Sequence, residues 1–273
     1  SISIRKIEVW VTNKSSRFDQ ARNIVAFVDL GENQKNISNP VFRGNNGYPS
    51  NETNNLYTQM TTGPYEGIRD INQVSKLLSQ FQSGRDYEKL ENARLLDPSE
   101  YTLNEKLGYI SLNTTLNADE VLAVAYEYTV RGEVYTVGEL TSNALAAPST
   151  LVVKMLKSTT QSPAMPTWDL MMKNIYNIGA YSLSSDGFIM DVLYQNDKAG
   201  TKVNYLPDGR MSGKILLSIM NLDRLNSQLD AIPDGRFDYI DGVTVSSSRG
   251  RVIFPVLEPF GAWLSGLGVS EQY

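Results

Sequence analysis

Short runs of β-branched and aromatic residues, cut apart by glycine-bearing turns, leave this chain little room for anything but a β-rich fold. The pattern is densest from Asp234 to Phe260, DGRFDYIDGVTVSSSRGRVIFPVLEPF. Asp234-Gly235 and Asp241-Gly242 are turn dipeptides, and Val243 to Val245 and Val252 to Phe254 flank a polar loop closed by Gly250. That arrangement predicts a β-hairpin. The same shape occurs as Tyr101 to Leu103, a loop Asn104 to Gly108, and Tyr109 to Leu112. Superimposing Gly108 on Gly250 (250 − 108 = 142) places Leu103 on Val245, Ile110 on Val252 and Leu112 on Phe254. Matches this short support two similar hairpins rather than a duplicated domain. Tyr181 to Ile189, around Asp186-Gly187, reads as a third and shorter copy.

The rest of the chain follows the same alternation. Ile7, Val9 and Val11 predict one strand and Ile24 to Leu30 a second, expected to pair across the polar loop from Asn13 to Arg22. Gly31 to Asn55, with its Asn45-Asn46-Gly47 turn, reads as a long surface loop. After Pro64, residues Ile68, Ile71, Val74, Leu77, Leu78 and Phe81 fall at three-and-four spacing, which predicts one amphipathic helix. Val121 to Val130 alternates as a strand, and Leu151 to Leu156 is another. Trp168 to Ile178 reads as a short helix packing Leu170, Met171, Ile175 and Ile178; Pro207 to Gly209 is a turn, and Lys214 to Met220 a buried strand. The expected class is therefore mainly β with some α (α+β), with antiparallel hairpins and sheets and about two covering helices. Two similar β subdomains are expected, residues 1–145 with one helix and 146–273 with the related hairpin, meeting near Thr141 to Thr150.

Composition narrows the chemistry. The chain has no histidine and no cysteine. A Ser-His-Asp triad, a histidine base, an imidazole metal ligand, a thiolate nucleophile and a disulfide are thereby excluded. A net charge of −5 argues against a nucleic-acid partner, since Arg236, Arg249 and Arg251 are offset by Asp234, Asp238 and Asp241. No apolar run is long enough for a transmembrane helix. Ser1 opens directly on the strand pattern Ile2 to Trp10 with no signal peptide, which reads as an internal segment of a longer protein.

Two schemes remain for acidic side chains. A glycosidase needs two carboxyl groups flanking the scissile bond, and Glu100 with Glu105, or Asp119 with Glu120, are the candidates. Isolated acids in turns are more often solvated surface residues. Calcium wants several oxygens brought together by glycine-containing turns, and Asp230, Asp234, Asp238 and Asp241 have that composition. Their spacing departs from the EF-hand loop, and Asp and Gly belong in turns for backbone reasons alone. Gly266-Leu267-Gly268 lacks the third glycine of a dinucleotide site. Exposed members of the fifteen tyrosines could stack on sugar rings, although tyrosine in strands is usually half-buried. The reading assigns no catalytic, cofactor-binding or metal-binding residue, and no cofactor.

Three blocks carry a family resemblance: Ile4 to Asn13 with Ala21 to Gly31; Leu222-Asp223-Arg224-Leu225-Asn226; and Pro233 to Thr244 continued by Arg251 to Gly261, of which Pro255-Val-Leu-Glu-Pro-Phe-Gly261 is the most specific. They resemble the SprA/Sov family of gliding-motility proteins of the Bacteroidetes. That resemblance implies a very large outer-membrane protein whose β-barrel is the export channel of type IX secretion. It also implies a PorV-like shuttle, a periplasmic plug and secreted cargo as partners, and carries over no catalytic residue. Within such a parent, the predicted helices and the Asn-rich loop favour a soluble insert, periplasmic or extracellular, over a stretch of lipid-facing wall. A secreted adhesion or glycan-binding β module is the competing reading, and a carboxylate-dependent hydrolase the third.

Overall fold

The computed structural model describes residues 2–15, 18–38, 42–45, 47–105, 107–195 and 200–268. They divide into two compact units, Ser1–Met171 and Met172–Tyr273. The division falls later than the expected 145/146 boundary, because Leu151–Lys157 is an integral strand of the first unit, paired on both sides.

In the first unit the strands are β1 (Ile2–Val11), β2 (Arg22–Phe27), β3 (Tyr87–Leu95), β4 (Tyr101–Asn104), β5 (Tyr109–Leu112), β6 (Leu122–Val130), β7 (Glu133–Val137) and β8 (Leu151–Lys157). Five of them run β1-β3-β2-β8-β6, and β6 pairs back onto β1, so the sheet closes into a small mixed barrel. Only β2 and β8 are parallel, with Ile24 opposite Leu151 and Phe27 opposite Lys154. The β1–β6 seam is the longest, from Ile2↔Val130 to Val11↔Leu122, with an irregularity between Ile4 and Lys6. On its other edge β6 is shared, meeting β8 through Leu122 to Val124 and β7 through Tyr126 to Val130. Closure leaves β6 and β2 without a free face. Ile24 to Val28 are all buried, as are Ala123, Val124 and Ala125 together. The hairpin β4–β5 covers part of the barrel, with Tyr101, Ile110 and Leu112 packed on Val9, Val11 and Val124. β1 and β2, expected to pair with each other, are instead separated by β3, which pairs with both.

The helical stretch after Pro64 buries the expected residues without being one helix. Ile68, Ile71, Val74, Leu78 and Phe81 join the core. Ahead of Pro64 lies a separate helix, α1 (Leu56–Thr61), and the backbone after Pro64 breaks into 3₁₀ turns at Glu66–Arg69 and Ile71–Gln73 and the short α2 (Val74–Leu77). Asp70 causes one break: it is extended, at ψ 113°, and its carboxylate accepts the Asn72 N–H to start the next turn. Arg69 ties these turns to the barrel. Its guanidinium grips the Glu139 carboxylate at 2.6 and 2.7 Å and donates to the Thr150 carbonyl at 2.8 Å. Glu139 also accepts the Tyr57 hydroxyl and the Val152 N–H. Just before it, Gly138 has φ +78°, and a Cβ there would lie 3.1 Å from the Ala125 Cβ and 3.3 Å from the Val153 Cα. The described residues from Gly31 to Asn55 are irregular as expected; residues 39–41 and Asn46, the centre of the predicted turn, lie outside the described residues.

The second unit has β9 (Ile175–Asn177), β10 (Tyr194–Gln195), β11 (Lys202–Val203), α3 (Leu216–Ile219), β12 (Val245–Ser246), β13 (Arg251–Ile253) and α4 (Ala262–Gly266). Its strands are two or three residues long, so it is not a second copy of the barrel unit. The two hairpins nevertheless match: Leu103 faces Ile110 and Val245 faces Val252, the register given by the 142-residue offset. Three sequence expectations fail here. Lys214 to Met220 forms α3 rather than a strand, burying Leu216, Leu217 and Ile219 on one turn. Trp168 to Ile178 is a 3₁₀ turn at Pro166–Leu170 followed by β9, which pairs with β13 instead of coiling. Tyr181 to Ile189 contains no strand; Leu183 donates to the Ser247 carbonyl, so the segment lies against the hairpin turn. No helix among the described residues is long and apolar enough to cross a membrane.

Burial, reinforced by Glu139, pushes the Tyr57 hydroxyl up to about 12, and burial beside Tyr135 and Tyr48 does the same for Tyr128. Burial also raises Tyr126. A tyrosine that holds its proton longer when folded contributes stability that is complete below about pH 10, its unfolded value, and is lost as pH rises through its folded value. Ultraviolet absorbance titration is therefore expected to show Tyr57 and Tyr128 still protonated near pH 11 in the folded protein and ionised in urea. The double variant Tyr57→Phe/Tyr128→Phe should lose their share of the late-titrating absorbance and keep that of Tyr126.

Candidate functional site

The feature that distinguishes the second unit is a reciprocal clasp between two of its loops. Asp223, 2% exposed, accepts the Asp234 N–H at 2.9 Å, the Gly235 N–H at 3.2 Å and the Ser218 hydroxyl at 2.6 Å. In return the Asp238 carboxylate accepts the Arg224 N–H at 2.6 Å and the Leu225 N–H at 3.2 Å. The Asp238 N–H donates to the Leu222 carbonyl at 2.8 Å. Leu222 to Asn226 and Pro233 to Thr244 are thus one interlocked structure, although neither contains a β-ladder that would satisfy its backbone. Thr244 continues the clasp: its hydroxyl accepts the Ile240 N–H at 2.9 Å and donates to the Asp238 carbonyl. Asp241 then accepts the Ser247 N–H at 2.8 Å, which holds its carboxyl below the usual carboxylate range.

This accounts for the acids considered for calcium. Asp238 and Asp241 are occupied by backbone N–H groups of other loops, Asp234 by Arg236 two residues on, and Asp230 by the Asn226 amide. Among the described residues no three acidic side chains come together to hold a metal ion. Asp223, the most buried member of the clasp, was not singled out in the sequence. Its signal was present, as an aspartate among apolar residues Leu222 and Leu225 where a solvated acid has no reason to be.

Three of the carboxylates considered for a glycosidase pair, Glu100, Asp119 and Glu120, are held by local partners. Glu100 precedes β4 and Glu105 follows it, so the two are separated by about 16 Å of extended chain, well beyond the spacing of a glycosidase pair. Glu100 is held by Arg94 and accepts the Asp97 N–H in a capping box. A hydrogen bond from Lys14 holds the Asp119 carboxyl below its usual range, and Glu120 accepts the Asn117 N–H.

Above the clasp sits a hydrophobic layer of Leu217, Met220, Leu222, Val252, Phe254 and Val256. Gly250 lets the hairpin turn close against the neighbouring loop: φ is +59°, and a Cβ would fall 1.4 Å from the Ala180 carbonyl oxygen. Tyr176, Phe254 and Phe260 then meet edge to face, with ring centroids 5.3 to 5.5 Å apart. Phe254 is buried, whereas Tyr176 is 39% and Phe260 51% exposed. Ile178, Tyr181, Ile189, Leu229, Ile232 and Leu257 are also exposed in this unit.

No family model matches the chain, and no curated protein matches it.

Removing either clasp carboxylate takes a charged acceptor from two backbone N–H groups and leaves only water to replace it where the loop is exposed. Asp223→Ala is expected to lower stability by about 2–3 kcal/mol, and Asp238→Ala by a similar amount, in urea denaturation. The double variant should cost less than the sum, since the two act on the same pair of loops. Calcium is expected to leave the melting temperature unchanged, and terbium to give no sensitised emission; a calcium-dependent rise would reinstate a metal at the aspartates.

Proposed function

We propose that this chain is a non-enzymatic segment of a SprA/Sov-like outer-membrane translocon of type IX secretion, supporting protein export to the cell surface and gliding motility. The observation that carries the reading is the clasp. Two blocks on which the resemblance rests, Leu222 to Asn226 and Pro233 to Thr244, use their acids on each other's backbone. Residues with that role specify a shape, which is what a component of a large assembly has to supply. The exposed apolar residues of the second unit support the same reading, because such surface is usually covered by a partner. In this reading the segment is a soluble insert of an outer-membrane parent, in contact with a PorV-like shuttle, a periplasmic plug or cargo in transit.

The exposed pair Tyr176 and Phe260 favours a second reading, a surface adhesion module in which these two rings stack on sugars. A cell experiment separates the two. In a gliding bacterium whose chromosomal copy carries Asp223→Ala with Asp238→Ala, surface spreading and cargo export are expected to fall together while adhesion to glycans is unaffected. Normal export with lost glycan binding in a Tyr176→Ala/Phe260→Ala strain would instead establish the adhesion module.

A further inference from the structure

The sheet β12-β13-β9 ends in an edge with specific unfilled hydrogen-bonding positions. The register pairs Ile175 with Ile253, Tyr176 with Val252 and Asn177 with Arg251. The Ile178 N–H donates to the Gly250 carbonyl, and the Phe254 N–H to the Asn174 carbonyl. In an antiparallel ladder this phase turns the backbone groups of residues 174, 176 and 178 toward β13 and those of Ile175 and Asn177 away from it. Among the described residues the outward N–H and C=O of Ile175 and Asn177 meet no backbone partner. The Asn177 side chain is used locally, accepting the Gly179 N–H at 2.8 Å, and does not cover the edge.

The side chains around this edge do nothing to blunt it. Protein edge strands are normally protected by charge, proline, a bulge or a covering segment. From Asn174 to Gly179 there is no charged residue and no proline. The nearest cation in sequence, Lys173, is ion-paired with Glu258 at 2.6 Å. Tyr176 and Ile178 are exposed at 39% and 41%, and Phe260 extends the apolar surface beside Tyr176.

We propose that β9 accepts an extended, uncharged polypeptide strand of another protein, added through the backbone N–H and C=O of Ile175 and Asn177. The occupant is defined by these groups. Donors and acceptors alternating along an edge match an extended backbone, and the neutral, apolar surroundings admit β-branched and aromatic side chains without a charge penalty. The site reads backbone first, so it takes strands of varied sequence. A partly folded protein with an unpaired strand is the natural source of one. The assignment stands on the edge geometry alone and does not require the translocon reading.

The test uses the full ¹⁵N-labelled chain and a blocked peptide of three Thr-Val repeats between single lysines. A control peptide is methylated on alternate backbone nitrogens. Saturating peptide is expected to slow amide exchange at Ile175 and Asn177 by at least about tenfold and to leave the barrel amides unchanged. The methylated peptide should not bind. Asn177→Pro removes one outward donor while sparing the Tyr176 and Ile178 bonds to β13, and is expected to raise Kd about tenfold or more. Asn177→Lys, which leaves every ladder bond intact, should weaken binding as well and decides the matter if the proline variant does not fold. Unchanged exchange at Ile175 and Asn177, or equal binding of the methylated peptide, overturns the proposal. So does a homodimer in light scattering that Asn177→Lys dissolves, since the edge would then belong to a second copy of this chain. Because the readout is peptide binding in vitro, its failure leaves the export experiment undecided, and the converse also holds.

Discussion

A carboxylate that accepts backbone N–H groups is the interaction on which most of this structure depends. Long stretches of the chain form neither helix nor ladder, and a buried N–H without an acceptor costs about as much as a lost hydrogen bond or more. In the second unit Asp223, Asp238 and Asp241 supply the acceptors for Asp234, Gly235, Arg224, Leu225 and Ser247. The first unit uses the same device at the barrel. Asp29 accepts the Asn36 and Ile37 N–H groups, Asp86 those of Ser38 and Gln82, and Glu8 that of Thr141. Burial raises the Asp29 carboxyl against the pull of those donors, so its position is held by the surrounding fold rather than by solvation.

That use of acids explains how an acidic chain can present so little acid–base machinery. Carboxylates committed to backbone donors have few lone pairs left for a metal or a substrate proton. Several others sit in ion pairs, such as Asp119 with Lys14 and Glu100 with Arg94. The cations are similarly spent: Arg69 holds Glu139, and Lys154, whose ammonium is buried on the Val28 carbonyl and Glu32, is pulled down by that burial. Outward the second unit presents exposed apolar side chains and, at β9, a strand edge without charge or proline.

The strands of the barrel were legible because alternation is a local signal: β1, β6 and β8 lie close to where Ile7 to Val11, Val121 to Val130 and Leu151 to Leu156 placed them. The matched register of the two hairpins was legible too, through the left-handed glycines Gly108 and Gly250. Pairing was not. Nothing local in β1 or β2 reveals that β3, some sixty residues on, inserts between them. The helix after Pro64 showed the right burial and the wrong continuity, since the stop at Asp70 depends on its side chain bonding Asn72 rather than on any periodicity. At the candidate site, Asp230 to Asp241 were conspicuous as a group of acids. Their role could not be read, because the partners of Asp234, Asp238 and Asp241 are backbone amides, which carry no sequence signature.

Native-state amide exchange at Arg224, Leu225, Asp234 and Gly235 tests the carboxylate account most directly. These amides lie outside strands and helices, so only the Asp223 and Asp238 carboxylates can protect them. The account predicts protection comparable to that of the β13 amides, opening only when the second unit unfolds. Exchange at the rate of a free loop would show that the carboxylates do not hold the structure together.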